Sequence, residues 1–310
     1  MVNAVTGPFS YTGKYVAEML LGRGARVRGF VRPGAHRPHA SAVDCRTLQF
    51  QDLDQLARDL DGVDVLYNTY WIRFEHGGTA FADAVENTQR LARAAQRAGV
   101  RRIVHVSVSN PSHDSPFAYF RGKAAAEDAV TAAGVPVSIV RPTLVFGRED
   151  VLINNMAWLM RRLPVFPVFG GGEFGVQPVF VGDVAELVIS EAANPKARVI
   201  DAAGPDVFRF ADFLRLLRSR AGGRALLLPM PASLAFAGSL PLSAVLGDVL
   251  ITREEIGALM AGLLVSNDPP TTPTSFLDWA AAERSVLGRG YTSELQRHWS
   301  TVDSAGPTTS

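Results

Sequence analysis

The sequence predicts an α/β fold in which a doubly wound parallel sheet is joined to a smaller C-terminal lobe. Short apolar stretches alternate with helical patterns through residues 1–147, and this alternation requires a parallel sheet with helices on both faces. The alternation stops from Arg148, so we expect residues 148–302 to form mainly the second lobe. Residues 176–204 again show strand and helix patterns and are expected to contribute to the sheet. Residues 303–310 are small and polar, which predicts a flexible tail.

Composition limits the class of protein and its compartment. The formal net charge is +1, with basic and acidic residues interspersed, so we expect neither a nucleic-acid partner nor a membrane partner. Cys45 is the single cysteine, which argues against a disulfide and a metal site and fits a reducing cytoplasm. Because the first predicted strand begins almost at Met1, we expect no signal peptide.

One segment, residues 225–247, has the apolar composition of a membrane span and contains no charged residue. Its three prolines, Pro229, Pro231 and Pro241, interrupt a helix of that length. We therefore expect broken, buried or substrate-lining helices here instead of a membrane anchor.

The first strand and first helix are separated by a turn with glycines at both ends. Apolar residues at 1–6 predict the strand, and helical spacing at 14–21 predicts the helix. Gly7 can adopt a backbone conformation closed to other residues, and Gly13 allows close approach of the helix to the sheet or a ligand. The open N-terminus of such a helix can bind a pyrophosphate. The usual dinucleotide fingerprint has a third glycine where this chain has Ser10, so a simple tight turn is the alternative.

The second predicted strand, residues 26–31, ends at Arg32 in a turn. An acidic side chain at this point suits a ribose 2′-hydroxyl, whereas an arginine suits a 2′-phosphate. Arg32, with His36 and Arg37 close by, therefore favours NADP, and NAD is the alternative cofactor. The alternative, to which we give equal weight, is that Arg32 is simply a solvent-exposed residue at the end of the strand.

The third predicted strand, residues 47–50, leads into Asp52 and Leu53. At the end of a strand, these two residues could hold an adenine ring through an edge hydrogen bond and an apolar contact. Asp54 could equally cap the helix predicted at residues 55–60.

Two further strands, residues 63–67 and 103–106, flank a long helix at 81–98. Open parallel sheets bind their ligands at the carboxyl ends of such strands. The polar residues that follow the two strands are Asn68, Thr69, Ser107 and Ser109.

The next helix carries the strongest chemical signal, Tyr119 and Lys123. A separation of four residues places both side chains on one helical face. A neighbouring ammonium stabilises a phenolate, so the pair can exchange a proton with a carbonyl at neutral pH. The alternative is a tyrosine packed beside an exposed lysine.

Later motifs complete the pattern. A strand at 137–140 is followed by Pro142 and Thr143, and Asp183 is placed to cap a helix that runs to Ser190. Other predicted elements are a helix at 156–162, a glycine-rich loop at 169–172, strands at 177–181 and 198–201, a helix at 210–221 and a capping box at 252–255.

Taken in order, these motifs resemble the short-chain dehydrogenase/reductase superfamily in its extended-to-atypical branch. Within that branch the chain is most similar to the NmrA-like proteins and to relatives of the accessory nucleotide-binding subunit of respiratory complex I. The segments that carry the resemblance are 6–13, 52–53, 119–123, 141–143 and 177–185. The resemblance implies a Rossmann fold and an NAD(P) cofactor.

The resemblance also implies roles for individual residues. Tyr119 would be the acid/base, Lys123 would hold the nicotinamide ribose and lower the pKa of the tyrosine, and Ser109, or else Ser107, would hydrogen-bond the reacting carbonyl. The implied cofactor-binding residues are Gly7, Ser10, Tyr11, Thr12, Gly13, Arg32, Asp52, Leu53, Asn68, Thr69, Lys123, Pro142 and Thr143. The chain departs from the family pattern at Ser10 and in the short interval between Ser109 and Tyr119.

The function implied is an NAD(P)-dependent oxidoreductase or an epimerase/dehydratase of the extended short-chain type. It would transfer hydride between nicotinamide and a carbonyl or alcohol carbon of a small, fairly hydrophobic substrate, with Tyr119 as acid/base. The alternative is a redox sensor or assembly factor that binds NAD(P) without chemistry. In related proteins, the helices that begin near Phe81 and Tyr119 pair across a homodimer.

Overall fold

The alternating pattern gives a regular series of strands and helices in residues 1–34 and 42–299, the part of the chain described by the computed structural model. Its strands are β1 Val2–Thr6, β2 Arg26–Val31, β3 Asp44–Thr47, β4 Val65–Asn68, β5 Arg102–Val106, β6 Val137–Pro142, β7 Leu144–Phe146, β8 Val165–Phe169, β9 Gly175–Val176, β10 Pro178–Phe180, β11 Val199–Ala202, β12 Phe208–Arg209 and β13 Leu226–Met230. Its helices are α1 Tyr11–Gly22, α2 Leu53–Asp59, α3 Phe81–Arg97, α4 Ala118–Thr131, α5 Leu152–Arg162, α6 Val181–Ala193, α7 Phe210–Ala221, α8 Ala232–Leu246, α9 Arg253–Met260, α10 Phe276–Ala282 and α11 Glu294–Trp299.

Seven strands of the described chain form one sheet in the order β11-β6-β5-β4-β1-β2-β3. Every neighbouring pair is parallel, so the predicted fold class is confirmed. The chain moves outward from β1 through β2 and β3, then returns to place β4 on the other side of β1. A crevice forms at the carboxyl ends of β1 and β4 where this direction changes, and such crevices bind ligands.

Helices bury apolar residues on both faces of the sheet. On one face, Val16 and Leu20 of α1 pack with Val184 and Val188 of α6. On the other face, α2, α3 and α4 cover the sheet through a cluster that includes Leu56, Leu91 and Val130. The two layers produce the doubly wound arrangement.

The second lobe has its own core. Phe146, Phe213, Phe276 and Trp279 meet there with ring centroids 4.9 to 6.0 Å apart. Three small sheets, which pair β7 with β10, β8 with β13 and β9 with β12, frame this core. Because α6 and β11 pack on the large sheet while α5 and α7 belong to this core, the two regions are interleaved along the chain.

Three local predictions were wrong. The third strand is Asp44–Thr47, not residues 47–50, and Phe50 packs instead against Tyr70, with their ring centroids 4.7 Å apart. Asp52, not Asp54, caps α2, since its Oδ1 accepts a hydrogen bond from the Gln55 N–H at 2.9 Å. Asp183 does not cap α6.

The carboxylate of Asp183 instead accepts hydrogen bonds from the N–H and hydroxyl of Thr274, both at 2.9 Å. It therefore connects the start of α6 to the loop before α10.

The segment 225–247 also differs from expectation, because it forms the strand β13 and a single helix, α8, with Pro241 inside it. Among the described residues, no helix combines the length and apolarity that crossing a membrane requires.

Candidate active site

The turn between β1 and α1 is built around close contacts of glycine backbone. Gly7 adopts a φ of +62°, a left-handed conformation that favours glycine. A Cβ on Gly13 would lie 2.1 Å from the carbonyl oxygen of Gly7, so only glycine fits there. The hydroxyl of Ser10 donates to the same carbonyl at 2.7 Å. Ser10 therefore braces the turn, and its hydroxyl is engaged inside the protein.

The N-terminus of α1 remains available to an anion. Ser10 is the N-cap residue, its side chain makes no capping hydrogen bond, and the first turn of α1 contains no acidic residue. Tyr11 and Thr12 open the helix. The unpaired N–H groups of such a terminus and its partial positive charge suit a pyrophosphate.

The predicted adenosine side of the site lies along β2 and β3. Arg32 follows β2 directly and is half-buried, and this burial lowers the pKa of its guanidinium. Asp52 is exposed and caps α2, while Leu53 is half-buried in its first turn. His36 and Arg37, which entered the NADP prediction, lie outside the described residues.

Asn68 and Thr69 are used within the protein. The Asn68 side-chain oxygen accepts from the Thr6 hydroxyl at 3.2 Å and from the Tyr70 N–H at 3.1 Å. The Thr69 hydroxyl donates to the Thr6 carbonyl at 2.6 Å. These bonds tie the ends of β1 and β4 together behind the glycine turn. The two residues therefore support the crevice, and Asn68 itself is buried.

Tyr119 and Lys123 share the predicted face of α4, and both contact Trp71. The ring of Tyr119 meets the ring of Trp71 edge-on at a centroid distance of 6.1 Å. The Lys123 Nζ lies 4.6 Å from the centroid of the Trp71 ring and donates to the carbonyl of Val106 at 3.1 Å. A Cβ on Gly122 would approach the Trp71 ring to 3.2 Å, so this glycine provides space for the indole.

Burial sets the protonation of this pair. Lys123 is 3% exposed, and its burial lowers the pKa of the ammonium to about 7. Burial also raises the pKa of Tyr119, and the negative charge of Glu255 raises it further. The expected lowering of the tyrosine pKa by Lys123 is not found. Tyr119 is therefore a phenol at neutral pH, suited to donating a proton.

The two candidate serines differ in their contacts. The hydroxyl of Ser109 donates to the carbonyl of Leu263 at 2.8 Å, so Ser109 links the sheet to the segment after α9. The hydroxyl of Ser107 is buried and has no hydrogen-bond partner among the described residues. Of the two, Ser107 has the hydroxyl that is available for another partner.

A cavity of about 360 Å³ opens beside Tyr119. Of the predicted residues, Tyr119 and Thr143 line it. Within the described chain, its charged lining side chains are Arg73, Glu75, Glu254 and Glu255. The cavity thus combines a phenol with three carboxylates and one guanidinium.

Each of these carboxylates occupies a helix N-terminus. Glu75 accepts from the Phe81 N–H at the start of α3, at 3.0 Å. Glu254 accepts from the Ala118 N–H at the start of α4, also at 3.0 Å. Glu255 accepts from the Thr252 N–H at 2.8 Å and completes the predicted capping box of α9.

Arg73 is held by the same group of acids. Its Nε donates to Glu255 at 2.6 Å, and its Nη1 lies 3.7 Å from a Glu294 oxygen. These carboxylates raise the pKa of Arg73, so the guanidinium stays charged. The helix termini and the arginine around this cavity are consequently already neutralised by carboxylates and have little attraction left for an anion.

Sequence reasoning missed Arg73, Glu254 and Trp71 as site residues. Trp71 was visible at the end of a predicted strand, and the capping box that contains Glu254 was visible too. No sequence pattern brought these segments to Tyr119. Among the described residues, no cluster of three or more His, Cys, Asp or Glu side chains could hold a metal ion.

A family model described as NAD(P)H-binding matches residues 10–151, from Ser10 in the glycine turn to just beyond β7. Residues 10–151 are therefore similar to an NAD(P)H-binding domain. This domain contains α1, the Tyr119–Lys123 helix and the Pro142–Thr143 segment. Its limits leave most of the second lobe outside the match.

Relatives extend the similarity beyond this domain. The mitochondrial NADH dehydrogenase (ubiquinone) 1 alpha subcomplex subunit 9 of Arabidopsis thaliana is 26% identical over 290 residues, which cover 86% of this chain and 72% of that subunit. The subunit of the same name from Mus musculus is 31% identical over 207 residues, which cover 64% of this chain and 54% of the subunit. The predicted resemblance to the extended short-chain dehydrogenase/reductases is confirmed.

Solved structures agree on the fold. An NADPH-dependent quinone oxidoreductase from Escherichia coli superimposes with a TM-score of 0.70 at 18% identity, covering 91% of this chain and 99% of the other. A nucleoside-diphosphate-sugar epimerase from Staphylococcus aureus gives 0.69 at 16% identity, covering 91% and 100%. At these identities the likeness establishes the Rossmann architecture of this chain.

Proposed function

We propose that this NAD(P)H-binding protein is an NADPH-dependent reductase of a small, uncharged carbonyl compound. The observation that carries the proposal is the half-buried side chain of Tyr119 at a cavity whose helix termini are filled by carboxylates. A protonated tyrosine suits the reductive direction, in which the substrate oxygen gains a proton.

The glycine turn fits the cofactor. Gly13 packs closely on Gly7, and no side chain caps the N-terminus of α1 at Ser10. The backbone N–H groups of this turn can therefore bind the pyrophosphate. We assign Arg32 to the 2′-phosphate and Asp52 with Leu53 to the adenine, which makes NADP the proposed cofactor over NAD. When bound, the reduced nicotinamide supplies the hydride.

Tyr119 then supplies the proton. Hydride addition converts the carbonyl into an alkoxide, and the O–H bond of Tyr119 breaks as the alcohol O–H bond forms. For Lys123 to hold the nicotinamide ribose, the indole of Trp71 has to move aside, since it now covers the Lys123 ammonium. Displacement of Trp71 on cofactor binding is therefore part of the proposal.

The charge of the cavity argues against a sugar-nucleotide epimerase. A nucleoside diphosphate needs cations or open helix N-termini. In the cavity beside Tyr119, Arg73 is already paired with Glu255, and the starts of α3, α4 and α9 are capped by carboxylates. An uncharged substrate avoids this repulsion, so we favour carbonyl reduction over epimerisation of a diphosphate sugar.

The decisive variant is Tyr119→Phe. We expect it to bind NADPH as the wild type does and to lose at least about a hundredfold of carbonyl reduction, because general-acid catalysis contributes about 10² to 10⁴. Calorimetric NADPH titration and the consumption of NADPH with a panel of uncharged ketones measure the two properties. Tyr67→Phe, in the sheet core, is the matched control. Undiminished reduction by Tyr119→Phe would end the acid assignment.

A second function, NAD(P) binding without chemistry, is favoured by one observation. Lys123 lies under Trp71 and is bonded to the carbonyl of Val106 instead of facing the cavity. The relatives named as NADH dehydrogenase subunits also support a role as an assembly factor or redox sensor. Tight NADPH binding with no turnover across the ketone panel would select this alternative.

The remaining proposals concern partners and compartment. We propose a homodimer through α3 and α4, a small-molecule substrate, and no nucleic-acid or membrane partner. The proposed location is the cytoplasm, although the relatives from Arabidopsis and mouse are named as mitochondrial. Sedimentation velocity of the purified chain tests the dimer, and fractionation of the producing cells tests the compartment.

A further inference from the structure

A second cavity, of about 250 Å³, lies between α5, β8 and α8. Aliphatic and aromatic side chains dominate its walls. Examples are Leu159, Phe166, Phe169, Met230, Leu234 and Leu242. Cavities of this composition bind apolar groups, because burial of hydrocarbon surface is the favourable term available to them.

The polar side chains that line this cavity are already satisfied. The side-chain amide of Asn155 donates to the Thr292 carbonyl at 2.8 Å and accepts from the Thr292 N–H at 3.0 Å. The Ser239 hydroxyl donates to the Phe236 carbonyl at 2.7 Å, and Arg73 is paired with Glu255. Among the described residues, a ligand group in this cavity therefore finds hydrocarbon and no polar side chain in need of a partner.

The cavity adjoins the one beside Tyr119. Arg73, Leu152 and Leu259 line both. Leu152, at the start of α5, and Leu259, near the end of α9, thus form the boundary between the two cavities. The cavity on one side is polar and contains the phenol of Tyr119, and the cavity on the other side is apolar. A molecule that fills both spaces must be polar at one end and apolar at the other.

We propose that the two cavities together bind one amphiphile, with its uncharged carbonyl head beside Tyr119 and its aliphatic chain in the α8 cavity. The assignment of the head rests on the proposed reductase function. The assignment of the chain rests on the apolar walls and satisfied polar groups of the second cavity. The substrate class is therefore a long-chain ketone or a similar carbonyl lipid.

Helix α8 forms one wall of the chain site. Leu234, Gly238 and Leu242 recur every four residues and face the cavity. A Cβ on Gly238 would meet no atom within 4 Å, so a larger side chain there can enter the cavity without backbone strain. Gly238→Leu also raises helix propensity, and it therefore reduces the cavity without weakening the fold.

The test compares uncharged linear methyl ketones of increasing chain length as substrates with NADPH. In the wild type we expect KM to fall about fourfold for each methylene added, until the cavity is filled. In Gly238→Leu this dependence should stop at shorter chains, while the shortest ketones react as before. Ala237→Leu changes an exposed residue of α8 that is outside the cavity lining, so it is the matched control and should follow the wild type.

A second measurement separates the chain site from the chemistry. Linear primary alcohols are titrated calorimetrically into the full chain without cofactor, and we expect affinity to rise with chain length in the wild type but not in Gly238→Leu. If short ketones are reduced but neither KM nor alcohol affinity depends on length, the chain site is wrong and the reductase stands. If alcohols bind with length dependence but no ketone is reduced, the chain site stands and the proposed chemistry is wrong.

Discussion

Gly13 is the residue at which the turn between β1 and α1 tolerates least change. We expect Gly13→Ala to lower the free energy of unfolding by about 1 to 3 kcal/mol and to abolish NADPH binding. The reason is that its Cβ would meet the fixed backbone of Gly7 at 2.1 Å. Urea unfolding and calorimetry measure both effects.

Gly22, in the last turn of the same helix, provides the comparison. A Cβ there meets no atom within 4 Å, so Gly22→Ala should leave NADPH binding intact and match or exceed wild-type stability. Equal behaviour of the Gly13 and Gly22 variants would contradict the close-packing account of the turn.

Lys123 makes stability depend on pH. Its folded-state pKa is about 7, below the ordinary value of 10.5, so between these values the unfolded chain binds a proton that the folded chain does not. Stability therefore rises with pH across this window, by up to about 1.4 kcal/mol per pH unit. We expect Lys123→Met to be more stable than the wild type at pH 7, with the difference shrinking by about 2 to 3 kcal/mol by pH 9.

Urea unfolding at several pH values measures this difference. Lys196→Met, which replaces an exposed lysine, is the control. A difference between Lys123→Met and wild type that stays constant from pH 7 to about pH 9 would show that the buried amine does not titrate as described.

Local sequence predicted the residues of the turn and the Tyr119–Lys123 pair, because glycine geometry and helical spacing are short-range properties. It did not predict the protonation of the pair. The ring over Lys123 comes from Trp71, and the charge beside Tyr119 comes from Glu255. Both neighbours are distant in sequence, so only the folded chain reveals them.

At the scale of elements, α9 stabilises α4 across the cavity. Glu254 of α9 caps the N-terminus of α4 at the Ala118 N–H. We expect Glu254→Ala to lose about 1 kcal/mol of stability and to open the α4 terminus to anions. Sulfate should then raise the melting temperature of the variant more than that of the wild type.

The comparison of sulfate with chloride at equal ionic strength measures this effect. Asp278→Ala, which removes an exposed carboxylate from the first turn of α10, should respond to sulfate as the wild type does. An identical sulfate response in all three proteins would mean that the α4 terminus gains no anion affinity when Glu254 is removed.

Element type was predicted well where periodicity is strong and poorly where apolar runs are ambiguous. The helix at 210–221 was predicted to the residue. The run at 226–230 became the strand β13, because its backbone pairs with β8, a long-range partner that no local pattern contains. The edge strand β3 lies at residues 44–47 because its backbone pairs there with residues 28–31 of β2, which is again a long-range partner.

At the scale of the whole molecule, the large sheet is completed by α6 and β11, which come after α5 of the second lobe. Val184 and Val188 of α6 cover the sheet beside α1, and β11 extends it beyond β6. We therefore expect a fragment of residues 1–147 to lack a cooperative thermal transition, because part of the apolar face of the sheet would be exposed to water. Far-ultraviolet circular dichroism during heating tests this.

A cooperative transition in that fragment would show that the first six strands of the large sheet and their helices suffice for folding. The sequence anticipated that residues 176–204 contribute to the sheet, since their strand and helix patterns repeat those of the first half. The apolar cavity could not be predicted from the sequence, because its walls come from α5, β8, β13 and α8. These elements come together only through the packing of the second lobe.

The position of Trp71 gives the site an optical reporter of its own. Its indole lies 4.6 Å from the Lys123 Nζ and is one of four tryptophans in the chain. A cofactor that displaces the indole from the amine changes the polarity around the indole and the quenching of its fluorescence. The emission spectrum of Trp71 should therefore shift on binding. The occupancy of the site can thus be followed in real time without a label, and Trp71→Phe identifies the part of the signal that arises there.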